Sequence, residues 1–195
     1  MSDAILLDLP EQLVGERVIV RPMRDEDAEG MFEAVQESVD RIRPWMIWSD
    51  QYHQPSDALA YIRRCRGNWV TREDIPLGIF ERETGRFLGG TGLHPRNWSV
   101  PYFEIGYWVR SSAEGHGFVT DAVKLILRYA FEGLGANRVL IRCNSLNKRS
   151  IAIPERLGFV AEGILRNVER DTSGSLADMR FYAMTPADYE RADWR

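Results

Sequence analysis

Val109-Arg110-Ser111-Ser112-Ala113-Glu114-Gly115-His116-Gly117-Phe118-Val119-Thr120-Asp121-Ala122 decides how this chain is read. It runs from the end of an apolar strand, through a turn with two glycines, into the strongest helical pattern in the sequence. Val119, Ala122, Val123, Ile126, Leu127, Ala130, Phe131 and Leu134 recur at helical spacing, so one face of that helix must pack on a sheet. Gly133 and Gly135 end the pattern. A helix start presents unpaired backbone N–H groups at the positive end of its dipole, and glycines let an anion reach the main chain. Phosphate or pyrophosphate is the natural ligand. A plain connecting turn is the other reading of the same glycines. A Walker A loop is excluded, since the lysine and the spacing are missing. A dinucleotide fingerprint fits poorly, because Thr120 stands where a third small residue belongs and Asn137 and Arg138 where an acid belongs.

Working outward, residues 138–143 (Arg-Val-Leu-Ile-Arg-Cys) form a compact apolar run, giving a strand-helix-strand crossover with the strand before the turn. Upstream, Leu77 to Glu83, Arg86 to Leu93 and Tyr102 to Arg110 read as a meander broken at Thr84-Gly85 and at 95–101. Before it come a strand over 17–23, a helix led by Asp25, Glu26 and Asp27 with Ala28, Met31, Phe32 and Val35 on one face, and an aromatic loop. A second helix opens at Pro55-Ser56-Asp57 and carries Ala58, Ile62, Cys65 and Trp69 on one stripe. Downstream, a short helix from Lys148 to Leu157 contains Pro154 and closes at Gly158; strands at 159–163 and 179–184 are joined around Ser173-Gly174. The order β-α-α-β-β-β-α-β-α-β-β shows no repeat or linker, which predicts one domain over 1–195 of the α/β (α+β) class.

Composition narrows the function. Twenty-five basic against 29 acidic side chains give a net charge of −4, which argues against a binder of nucleic acid by general phosphate attraction and leaves room only for a local basic groove. No apolar run is long enough for a membrane span, and the N-terminus lacks a signal pattern, so a cytoplasmic location is expected. Cys65 and Cys143 have no paired spacing and read as buried thiols; His53, His94 and His116 share no ligand spacing, so no metal is expected.

Three blocks in order then resemble the GNAT superfamily of acyl-CoA N-acyltransferases, in its RimJ/RimL type. They are Gly115-His116-Gly117-Phe118-Val119-Thr120-Asp121-Ala122, Asn144-Ser145-Leu146-Asn147-Lys148-Arg149-Ser150 followed by 155–159, and Arg43-Pro44-Trp45-Met46-Ile47-Trp48. The resemblance implies a mixed, mostly antiparallel sheet of about six or seven strands, split between the fourth and fifth and flanked by helices. It implies acetyl-CoA as co-substrate and a primary amine as acceptor, on a protein N-terminus or a small molecule, and it allows a homodimer. Residues 115–119 would cradle the pyrophosphate, Val109 would offer an N–H to the thioester oxygen, and Asn147 would touch the pantetheine arm or the sulfur. Lys148 and Arg149 would face the ribose phosphate. Ser112 departs from the family's Gln or Arg, and Arg110 is the residue placed to supply the missing charge.

For the chemistry, Glu104 stands alone among apolar and aromatic residues of its strand, where desolvation favours a base; facing solvent is its other reading. Ser150 resembles the family serine that hydrogen-bonds the departing thiolate, with helix capping as its other reading. Trp45, Trp48 and Tyr52 are expected to wall the acceptor pocket or else to pack in the core. The alternatives in function are a non-catalytic acyl-CoA sensor and an enzyme that uses another acyl group such as succinyl.

Overall fold

The computed structural model describes residues 4–195. Its strands are β1 (Leu13–Val14), β2 (Val18–Arg21), β3 (Pro76–Glu81), β4 (Phe87–Asn97), β5 (Tyr102–Val109), β6 (Arg138–Asn144), β7 (Val160–Arg170) and β8 (Leu176–Met184). They form a sheet in the order β1-β2-β3-β4-β5-β6-β8-β7, antiparallel throughout except for β5 beside β6. The helices are α1 (Ala28–Ile42), α2 (Pro55–Thr71), α3 (Phe118–Arg128), α4 (Lys148–Leu157) and α5 (Pro186–Glu190).

The count of eight strands exceeds the expected six or seven because β1 has two residues, too few to show a period. It returns onto β2 through a turn closed by the Gly15 N–H on Val18 O at 2.8 Å. The strand predicted to end at Leu93 also runs on to Asn97. Pro95 reads as a turn signal, yet β3 stops pairing at Gly92 and a last bond runs from Leu93 N–H to Ile75 O at 3.0 Å, so beyond Leu93 that edge of β4 is open and no ladder bond is lost at the proline. This extension carries His94 and Arg96. β7 is longer than expected because shifts near Ala161/Gly163 and Leu165/Glu169 break the alternation that a sequence reading needs. The predicted long helix ends its α-helical course at Arg128 and finishes in a wider turn over Tyr129–Gly133, whose Leu134 N–H reaches back to Tyr129 O.

Two apolar clusters cover the two faces of the sheet. Val119, Ala122, Val123, Ile126 and Leu127 of α3 are buried against Ile79, Leu93, Phe103, Ile105, Val139 and Ile141, each large aliphatic contributing roughly 1.5–3 kcal/mol before entropy is subtracted. On the other face, Met31, Ala34 and Val35 of α1 and Ala58, Ile62 and Cys65 of α2 pack on Phe80 and Phe87. The crossover of α3 from β5 to β6 makes those two strands parallel neighbours, but only Tyr102–Glu104 pair with Arg138–Leu140. Beyond Glu104 the strands part, and the expected split lies here.

Candidate active site

The split exposes half of the hydrogen-bonding groups of β5. Arg110 N–H bonds Leu88 O on β4 at 2.8 Å, so by the alternation of an antiparallel ladder the N–H groups of Trp108 and Gly106 also face β4. Those of Tyr107 and Val109 therefore face the opening, where β6 no longer pairs. A ligand arm inserted there meets a strand edge with free donors and acceptors.

At the mouth of the split lies the glycine turn. Gly115 (φ 79°) and Gly117 (φ 82°) are both in the left-handed region, which glycine occupies without strain. The first bond returning from α3 runs from Asp121 N–H to Gly117 O at 3.0 Å, leaving the N–H groups of Phe118, Val119 and Thr120 as the unpaired donors of a helix start. Arg17 braces this turn: it donates to His116 O at 2.9 Å and Asp121 Oδ2 at 2.8 Å and lies over the Phe118 ring, on which His116 stacks. Arg149 pairs with Glu114, which Arg41 also approaches at 4.0 Å. Arg17 and Arg41 were invisible to motif reading because they come from other elements.

Arg110 is a correction. Its side chain is 7% exposed and turns inward to Glu37 and to Phe87 O, so its charge is unavailable to the turn. The sequence could not show this because the partner carboxylate is on α1. Arg86, from the β3–β4 turn, reaches Ser112 Oγ at 3.1 Å instead.

Deeper in the split, α4 brings Asn147 and Ser150 to β5 and β6. Asn147 caps the helix, its Oδ1 accepting the Ser150 N–H at 3.1 Å, so the capping role belongs to Asn147. Ser150 Oγ lies 3.2 Å from Cys143 Sγ and 3.3 Å from Tyr107 Oη. Pro154 explains this arrangement. Lacking an N–H, it leaves Ser150 O without its helical partner, and the Tyr107 hydroxyl donates to that carbonyl at 2.8 Å. Burial pushes the Tyr107 hydroxyl and the Cys143 thiol up, the behaviour of an inert core cysteine. Tyr107→Phe is expected to cost about 1–3 kcal/mol, because it strands that carbonyl. In a Pro154→Ala background the loss shrinks, since the backbone N–H that this substitution restores takes the carbonyl; urea unfolding of the four-member cycle measures the coupling.

On the α1/α2 face the surroundings of Glu104 differ from expectation. It is buried but not alone: Oε2 accepts Arg96 Nη2 at 2.6 Å and Oε1 accepts Arg142 Nε at 2.9 Å, while Arg142 also reaches Glu169. Sequence reasoning missed both arginines because β4 and β6 supply them. Trp108 lies over Gly90 and meets Trp48 at 5.5 Å, and Trp48 meets Tyr52 at 5.8 Å. Tyr52 is packed in the α1/α2 core, whereas Trp45 is 40% exposed and stands outside this group. The structure thus brings Trp48 and Trp108 to the face of the split and leaves Trp45 apart.

Residues 17–160 match the family model described as "Acetyltransferase (GNAT) domain", most of the chain, from β2 through α4. The chain belongs to the GNAT acetyltransferase family. Among curated proteins it is 31% identical over 181 residues to the "Putative ribosomal N-acetyltransferase YdaF" of Bacillus subtilis, covering 91% of this chain and 96% of that one. Among solved structures, RimL, the ribosomal L7/L12 α-N-protein acetyltransferase in complex with coenzyme A, superposes with a TM-score of 0.82 at 19% identity over 90% of this chain and 98% of that one. The microcin C7 self-immunity acetyltransferase MccE, in complex with acetyl-CoA and AMP, gives 0.81 at 24% identity over 88% and 93%. At those identities the likeness is one of fold. This GNAT protein is an acetyltransferase of the ribosomal-protein acetyltransferase-like group. No helix among the described residues is long and apolar enough to cross a membrane.

Proposed function

We propose that this GNAT protein, acting as a single acyltransferase domain over 1–195, transfers the acetyl group of acetyl-CoA to the α-amine of a protein N-terminus by direct attack on the thioester. The observation that carries the reading is the parting of β5 and β6 after Glu104, with the free donors of Tyr107 and Val109 facing into it and the free amides of α3 at its mouth. The pyrophosphate lies on the 115–120 amides, flanked by His116, Arg17 and Arg149, while the pantetheine arm runs along β5 past Asn147. Val109 N–H polarises the thioester oxygen, an oxyanion-type contact. Ser150 Oγ hydrogen-bonds the departing thiolate.

The acceptor enters from the opposite face, beside Trp48 and Trp108. Glu104 gives it a carboxylate: Oε2 accepts two N–H bonds from Arg96, while Oε1 accepts one from Arg142 and keeps a lone pair for an ammonium group. Because removing the charge also leaves Arg96 and Arg142 without their shared partner, Glu104→Gln is expected to lower turnover at neutral pH about 10–100-fold, with acetyl-CoA affinity retained. Unchanged turnover across the pH range removes Glu104 from the mechanism.

A protein N-terminus is favoured over small amines by the relatives named for ribosomal proteins, YdaF and RimL. The test is thiol release, crossing acetyl-, propionyl- and succinyl-CoA with N-terminal peptides, polyamines and aminoglycosides. Fastest release with acetyl-CoA and a peptide is expected. Release only with small amines overturns the acceptor, and acetyl-CoA binding without any release makes the protein a sensor.

A further inference from the structure

Two residues that the motifs leave without a role meet over β4, the strand next to β5. Asp74 follows α2, and His94 lies on the β4 extension. Asp74 Oδ1 is 2.6 Å from His94 Nδ1, and the same oxygen accepts the Ile75 N–H at 3.0 Å. A carboxylate oxygen only accepts, so in the neutral ring Nδ1 holds the proton and Nε2 carries the lone pair. The ring folds back over two glycines: a Cβ on Gly92 would fall 2.7 Å from Nε2, and one on Gly106 3.5 Å from it. Their bare backbones let Nε2 lie over Gly92 of β4 and Gly106 of β5, one residue before Tyr107, whose N–H faces the split. Both side chains are 32% exposed, so the pair is open to an entering ligand. Directly across the ladder from His94 is Glu104, whose oxygens already hold Arg96 and Arg142.

The geometry points to His94 as the catalytic base that removes the proton from the acceptor ammonium, with Asp74 as the positioning residue that fixes its tautomer. This rests on the acetyl transfer proposed above. Nε2 takes one proton from R–NH3+, and the freed lone pair forms the C–N bond to the thioester carbon while the C=O pair moves onto oxygen at Val109 N–H. The adduct collapses, the C–S bond breaks and sulfur leaves with the bonding pair as thiolate on Ser150 Oγ–H. The nitrogen sheds its second ammonium proton to water, and His94 later releases its own. Protonating Glu104 instead would disrupt charge-assisted bonds to two guanidinium groups, whereas His94 Nε2 carries a lone pair once Asp74 fixes the ring proton on Nδ1.

The experiment measures kcat/KM against pH with acetyl-CoA and an N-terminal peptide for the wild type, His94→Gln and Asp74→Asn, with acetyl-CoA affinity followed by calorimetry as the control for folding. His94→Gln is expected to lose about 10²–10⁴-fold at pH 7, and the loss shrinks as pH rises past the peptide amine's own value of about 8, where free amine needs no base. Acetyl-CoA affinity stays unchanged. Asp74→Asn lowers kcat with KM held, and in ¹⁵N correlation spectra moves the ring proton from Nδ1 toward Nε2. The groups around the pair are Glu104 on β5, Arg96 on β4, Arg142 on β6 and, beside Asp74, Tyr61 and Cys65 of α2. Burial pushes Tyr61 up and Cys65 up to about 11, above the window. A His94→Gln loss of the same factor at every pH, or no loss, overturns the base while leaving the acetyl transfer standing. A wild type that binds acetyl-CoA and releases no thiol with any amine overturns both.

Discussion

Gly117→Val is expected to raise the acetyl-CoA dissociation constant at least about tenfold, equivalent to about 1.4 kcal/mol, and to lower folding stability by about 1–2 kcal/mol. The backbone at Gly117 has φ 82° and ψ 1°, a conformation that a β-branched residue adopts only under strain. Its Cβ would also fall 3.1 Å from Arg17 Nη2, the guanidinium that ties His116 O to Asp121. Relief in either direction turns the N–H groups of 117–119 away from a common point, and their convergence is what binds a diphosphate. Gly174→Val is the control. It has φ 84° and open space around it on the β7–β8 hairpin, so it carries the backbone cost with no change in affinity. Calorimetric titration and urea unfolding of both variants separate the two effects; unaltered binding by Gly117→Val removes the amide cradle.

Glu37→Gln is expected to destabilise the fold by about 1–3 kcal/mol, because it leaves the buried Arg110 without its charged partner while Glu37 itself is partly open to solvent. One carboxylate of α1 holds the segment that leads to the glycine turn: it pairs with the buried Arg110 and accepts the Ser112 N–H at 2.7 Å, while Ser38 Oγ accepts the Ser111 N–H at 2.8 Å. The Arg110 guanidinium, followed by the Ser112 contacts, holds the Glu37 carboxyl down to about 2 from its ordinary 4.5. A depressed carboxylate contributes stability that is complete above pH 4.5 and is lost as pH falls toward 2. The wild type should lose about 1–3 kcal/mol across that window by this group, less than the full shift because solvent screens the partly exposed carboxylate, and Glu37→Gln should lack that part of the acid dependence. Chemical denaturation at several pH values checks the difference between the two proteins.

Particular residues show where sequence reading succeeds. The stripe from Val119 to Leu127, the αL glycines of the turn and the Asn147 block are local patterns, and each reports on a neighbour three or four residues away or on its own backbone. Pro154 was legible as a cost to α4, but the hydroxyl that replaces its missing bond comes from Tyr107 on another strand. Glu104 was legible as a carboxylate among apolar neighbours, since the alternation of one strand shows which residues share its face. Its arginines were not, because they stand across two other strands and pair only once the register is set.

The order of elements, the crossover and the anion-binding turn were therefore determined by the sequence itself, through period and backbone conformation over a few residues. Tertiary structure alone decided that Arg110 points inward to Glu37, that β4 runs past Pro95 because β3 has ended beside it, and that Asp74 meets His94 over two bare glycines. Each of these depends on which strands become neighbours and in what register, a choice made by the burial of whole faces, which no local stretch of chain encodes.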